Sequence, residues 1–104
     1  CLLFAALKQL HNSGWYHGDA RYPNAIETSE KTILWIDLLN ANTHDGDPAA
    51  LVQDKITLGL SFVGELSAAD ETTLTENMYN VHALDDDSYT KSFDIVSGLH
   101  AKIG

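Results

Sequence analysis

Cysteine is nearly missing from these 104 residues: Cys1 stands alone. An internal disulfide and a thiolate metal cluster are both excluded, and the redox compartment stays open on that ground. Basic residues are scarce too, six Lys and Arg against fifteen Asp and Glu, for a net charge of −9. Nucleic acids and acidic membranes call for Lys/Arg stripes that neutralise phosphates, and six scattered cations form no stripe. No run reaches the ~20 apolar residues of a membrane span. The opening apolar stretch is short and lacks the basic n-region of a secretory leader. Intracellular action is the expectation that follows. Repeats, low-complexity tracts and interdomain linkers are also missing, which leaves one small domain.

What is present suits a folded domain: 44% of the residues are hydrophobic and 20% charged. A chain of this size buries roughly 60–70% of its unfolded surface, so a missing neighbour would matter. Cys1 already stands inside an apolar helical pattern, and the expectation is a piece cut from a longer protein. Leu2, Leu3, Ala6, Leu7 and Leu10 predict a helix over 1–12, stopped at Asn12-Ser13-Gly14. A polar loop, 17–24, follows the aromatic pair Trp15-Tyr16, both tryptophans of the chain being expected in the core. Ala25-Ile26-Glu27 and 32–37, around a turn at 28–31, predict a short β-hairpin. After a polar loop at 40–48, residues 49–66 read as a helix apolar on several faces, hence central. Residues 67–84 hold one or two further helices, with Leu74, Met78, Val81 and Leu84 as the stripe. Asp85-Asp86-Asp87 caps a last helix over 89–103, where acidic residues complement the helix dipole. The fold class is α+β, mostly helical, with motifs confined to 1–66 and uninterpreted helices at 67–104.

The chemistry sits in an ordered set of acidic and amide residues. Asp19 and Asn24 lie in the loop between helix and hairpin, Asp37 ends the second strand, and Asp54 enters the central helix. Phosphoryl transfer from a nucleotide needs this inventory. One carboxylate accepts the proton of the attacking hydroxyl, while an amide oxygen and a second carboxylate hold Mg²⁺ against the phosphates. Hard oxygen ligands suit Mg²⁺ rather than a softer metal.

His17-Gly18-Asp19-x-x-x-x-Asn24, followed by a strand ending in Asp37, is similar to the catalytic loop and metal motif of the protein-kinase-like superfamily. Asp54-x-x-x-Leu58-Gly59 resembles that family's central-helix motif, whose Asp braces the loop backbone. The resemblance covers 1–66 and implies the C-terminal lobe of a kinase, with the N-terminal lobe absent. It implies Asp19 as catalytic base, and Asn24 and Asp37 as ligands of Mg²⁺ and so of ATP. It implies Arg21 as the cation stabilising the transferred phosphoryl group, with His17 and Asp54 as structural support. The acceptor hydroxyl would belong to a protein Ser/Thr, which Arg21 favours, or to a small molecule.

Departures from the pattern matter. Gly18 replaces the Arg that reads an activating phosphate, so control by that route is not expected. Leu38-Leu39 replace the usual Phe-Gly after the metal Asp. Only sixteen residues separate Asp37 from Asp54, too few for a full activation segment. His-Gly-Asp with this short segment is similar to aminoglycoside-phosphotransferase-like kinases, and His17 to Asn24 with Trp35-Ile36-Asp37 resembles crinkler-type effector kinases. No glycine-rich phosphate loop and no Val-Ala-Ile-Lys-like strand occur in the sequence, so these residues alone are expected to bind ATP·Mg²⁺ weakly or not at all.

Other readings stay open. The chain would serve as a pseudokinase or effector scaffold that binds without catalysis, or as an unrelated acidic α+β domain. Arg21 could be a solvated charge pairing with Asp45 or Asp47. His44, His82 and His100 lack the spacing of a zinc site.

Overall fold

The computed structural model describes residues 2–103; the expected placement of Cys1 in the first helix lies outside them. Among the described residues the chain forms four helices and two very small antiparallel sheets: α1 (Leu2–Asn12), β1 (Trp15–Tyr16), β2 (Ala25–Glu27), β3 (Ile33–Trp35), β4 (Asn42–Thr43), α2 (Pro48–Val63), α3 (Ala68–Asn80) and α4 (Asp86–Ile103). The α+β class and the helix-rich balance agree with the sequence expectation.

α2 is the central element, as its apolar composition predicted, and it packs against α1, α3, α4 and β1. Leu51, Val52, Ile56 and Leu58 are buried along it, and the last three join Phe4 and Leu7 of α1, Leu74 and Met78 of α3, and Val96 of α4. Gly59 lets α4 come close, since a Cβ there would meet Val96 Cγ2 at 2.8 Å. The helix starts earlier than expected because Asp47 caps it, accepting from the Ala49 amide at 3.0 Å, with Pro48 in the first turn. It also stops earlier, at Val63, where Gly64 takes a φ of 79°, a conformation other residues disfavour. At α4 the acidic run divides its work. Asp85 accepts the Ser88 amide at 2.7 Å, while Asp86 and Asp87 form the first turn itself.

The hairpin pairs Ala25 with Trp35, Ile26 with Leu34 and Glu27 with Ile33. The second pairing, Trp15 with Thr43 and Tyr16 with Asn42, was not foreseen. Two residues per strand give no periodicity to detect. Two apolar expectations fail: Trp15 is 44% exposed and Leu84 37%. Among the described residues no helix is long and apolar enough to cross a membrane.

Lys55 occupies an unusual position for its type, fully buried in the middle of α2. Its Nζ donates to the Val81 carbonyl at 2.6 Å and lies 4.1 Å from the centre of the Tyr89 ring. Burial pulls the ammonium down from 10.5 to about 8, with Asp85 opposing the shift. The unfolded chain therefore binds more protons than the native one between those values, and stability rises with pH there. Burial raises the Tyr89 phenol above its ordinary 10.0, which turns the slope around only above that pH. Unfolding midpoints in urea are expected to climb between about pH 8 and 10 in the native chain, by at most about 1.4 kcal/mol per pH unit. Lys55→Met should remove that component of the slope; an identical pH profile in the variant would refute it.

Candidate functional site

The loop that precedes the hairpin is tied to α2 at both ends. At its start, the buried Asp54 carboxylate accepts the His17 amide at 2.7 Å through Oδ2 and the Gly18 amide at 3.0 Å through Oδ1. At its far end, the Tyr22 amide donates to Ser61 Oγ at 3.1 Å, and the Tyr22 ring stacks on Phe62 with centroids 5.6 Å apart. Between these anchors Ala20 is fully buried. Asp54 thus ties the backbone before Asp19 to α2.

His17 is buried and joins the loop to the strand beyond it. Its Nδ1 accepts the Asp19 amide at 3.0 Å, which places the ring proton on Nε2, and Nε2 donates to the Ile36 carbonyl at 2.8 Å. The ring also packs edge-on against Trp35, centroids 5.3 Å apart. This is the supporting position expected for it, one residue before Asp37.

Gly18 has a φ of +85°, and a Cβ there would lie 2.5 Å from the Asn40 carbonyl oxygen and 2.8 Å from its Cβ. Neither arginine nor alanine fits without moving backbone. The need for glycine here has a tertiary steric cause, not visible in the sequence because Asn40 lies twenty-two residues on.

Asp19, Arg21 and Asn24 meet. Arg21 forks onto the Asp19 carboxylate, Nε to Oδ1 at 2.8 Å and Nη2 to Oδ2 at 3.2 Å. The pairing of Arg21 with Asp45 or Asp47, open from sequence, is not the one formed. Asn24 is buried and its Nδ2 donates to the Asp19 carbonyl at 2.8 Å and to Asp19 Oδ2 at 3.1 Å. The hydrogen bond from Arg21 holds the Asp19 carboxyl below its ordinary value, and Asn24 adds to the effect. Asp19 in turn raises the Arg21 guanidinium, to which Asp37 contributes as a nearby charge.

Asp37 is exposed, at the end of the hairpin, with φ and ψ both 58°. Left-handed backbone is uncommon outside glycine, although aspartate tolerates it. The Ile36 amide donates to the Asn24 carbonyl at 2.8 Å, so Asp37 follows directly on the residue bonded to Asn24.

Could these residues hold Mg²⁺? Among the described residues no group of three His, Cys, Asp or Glu is placed for a metal. Mg²⁺, however, usually takes only one or two carboxylates and fills its shell with water and substrate phosphates. The Asn24 amide directs its nitrogen to Asp19, which leaves Oδ1 as its acceptor; Asp37 supplies a carboxylate from the turn after β3, which ends at Trp35 rather than running to Asp37 as expected. The donor chemistry fits.

One component was missed from sequence. His11 of α1 is fully buried and its Nε2 lies 2.8 Å from Asp54 Oδ2; its Nδ1 is hydrogen-bonded to the hydroxyl of Tyr89. His11 follows Phe4 and Leu7 at helical spacing, so a polar ring on the apolar stripe was the available signal. Nothing in the sequence points to Tyr89.

Comparison with protein-family models, with curated proteins and with solved structures returned no match for the chain.

Proposed function

We propose that this chain is the acceptor-side half of a protein-kinase-like phosphotransferase, moving the γ-phosphoryl group of Mg²⁺·ATP to a hydroxyl. The observation that carries the reading is the Asp54 brace: a carboxylate from the central helix takes both backbone amides that precede Asp19. An incidental acidic loop has no need of it. When bound, Mg²⁺·ATP supplies an activated phosphoryl group whose charge the ion partly neutralises. Asn24 Oδ1 and the Asp37 carboxylate would hold the ion. Asp19 orients the acceptor hydroxyl and receives its proton. Arg21, paired with Asp19 in the absence of substrate, has the reach and permanent charge to stabilise a phosphoryl group. A protein Ser/Thr hydroxyl is favoured over a small-molecule one by the Arg21 position, while the short segment after Asp37 argues for the latter. Such chemistry also requires a glycine-rich loop and a lysine to cover the phosphates, which these 104 residues do not contain.

A scaffold without catalysis is the second reading. Leu34, Leu38 and Leu39, 56%, 50% and 89% exposed, make an apolar surface beside Asp37 that a partner would cover.

The ion separates the two readings. Substoichiometric Mn²⁺ is expected to broaden the amide resonances of Asn24 and of residues 36–38, with Mg²⁺ in excess reversing it. Asp37→Ala should abolish the broadening while leaving the remaining spectrum in place. Broadening confined to the Asp85-Asp86-Asp87 run, or unaffected by Asp37→Ala, would remove the phosphotransfer reading.

A further inference from the structure

Tyr89 lies far from the loop that carries Asp19, yet a continuous line of hydrogen bonds joins them through the core. Tyr89 is in the first full turn of α4 and only 2% exposed; His11, Asp54 and Lys55 are equally enclosed. Polar groups this deep are costly unless each finds a partner. Here every link is made. The Tyr89 hydroxyl bonds His11 Nδ1, His11 Nε2 meets Asp54 Oδ2 at 2.8 Å, and the same oxygen takes the His17 amide at 2.7 Å. Lys55 steadies the Tyr89 ring from 4.1 Å, and is itself fixed to the Val81 carbonyl.

The direction of each bond follows from what the partners can do. A carboxylate accepts, so His11 Nε2 carries the hydrogen that faces Asp54. A neutral ring then offers only a lone pair at Nδ1, and the phenol must donate to it. Burial, the dominant influence on this ring, keeps its pKa below the ordinary value. Asp54 pulls the other way, while His44 and Lys55 add to the lowering. Without the phenol, the opposite tautomer would become available. It would turn a lone pair toward Asp54 Oδ2, and the carboxylate would have to rotate away from the two amides it braces.

We infer that Tyr89 is a positioning residue: its hydroxyl selects the His11 tautomer that orients Asp54, and through Asp54 it sets the backbone in front of Asp19. The consequence for turnover rests on the phosphotransfer reading, whereas the consequence for the loop stands without it.

Two measurements on the 104-residue chain test this. In the native chain, side-chain ¹⁵N spectra should show His11 with its proton on Nε2; a predominant Nδ1–H form overturns the inference before any variant is made. Tyr89→Phe keeps the ring under Lys55 and removes only the donor. Hydrogen exchange at the His17 and Gly18 amides should then accelerate about tenfold, the equivalent of one lost buried hydrogen bond, relative to the Leu58 and Met78 amides that report global opening. Equal acceleration at all four sites would mean a purely structural role, and no acceleration would mean no coupling; either result overturns the inference. Selective acceleration in a chain whose Asn24 shows no Mn²⁺ broadening would keep the brace and discard the phosphotransfer reading, so the two fail separately.

Discussion

Asp54→Ala is expected to cost a large share of the stability of this domain. The carboxylate is 1% exposed and accepts from three donors, His11 Nε2 and the amides of His17 and Gly18. Alanine leaves the buried His11 and His17 donors without a partner, while the Gly18 amide, on an exposed residue, can turn to water. At ~1–3 kcal/mol for each of the two buried groups, the loss is roughly 2–6 kcal/mol. A domain of this kind has only about 5–15 kcal/mol in total. Asp54→Asn separates the contributions. With its amide oxygen in the place of Oδ2 it keeps the bonds to His11 and His17, but its NH₂ faces the Gly18 amide, donor against donor. Its loss should be ~1–3 kcal/mol, with the damage centred on Gly18. Urea unfolding gives the order native, Asn, Ala, and an amide spectrum locates the change. An alanine variant within about 1 kcal/mol of the native chain, the worth of one ordinary hydrogen bond, would show that the three donors find other partners.

Asp54 was legible only through the likeness of Asp54-x-x-x-Leu58-Gly59 to a known helix motif, since the amides it binds lie 36 and 37 residues away; its partners His11 and Tyr89 belong to no motif and were not legible. The difference lies in how each signal is encoded. Spacing along the chain survives in sequence when the elements are local, as with Asp19 and Asn24 in one loop or the helical stripe of Leu74 and Met78. The link between His11 and Tyr89 spans 78 residues and has no periodicity, so only packing creates it. Gly18 illustrates the same limit. Its identity could be compared with a motif, but its cause, the approach of Asn40 to 2.5 Å from where a Cβ would be, is tertiary. The exposed Trp15 failed for a related reason: its short strand pairs with β4 at the surface, and pairing without a long alternating pattern gives no sign of which face is covered. Arg21 shows a third kind of limit. The sequence offered several carboxylates within reach, and the chain resolves the choice through a two-residue fork onto Asp19 that no spacing rule ranks above the others.

That fork bears on the largest effect expected on activity, that of Asp19→Asn. Because Arg21 holds the Asp19 carboxyl below its ordinary pKa, the group stays ionised, and acceptor-only, throughout the neutral range. A carboxylate so stabilised is a weak base, which suits a loose phosphoryl-transfer transition state where the acceptor proton need leave only late. In the proposed transfer its first task would be orientation. Asparagine has nearly the same shape but replaces one acceptor oxygen with a donor NH₂, which would oppose either the Arg21 fork or the incoming hydroxyl. Transfer of phosphate from Mg²⁺·ATP, followed in the gene product that carries this chain, should fall by ~10²–10⁴-fold. The unfolding midpoint should hardly move, because the Asp19–Arg21 pair is at the surface, where ion pairs contribute little. This combination, lost turnover in an intact fold, distinguishes a reacting group from the Asp54 brace, whose removal lowers the stability itself. Turnover retained in Asp19→Asn would release Asp19 from the role and leave the bracing network as scaffold alone.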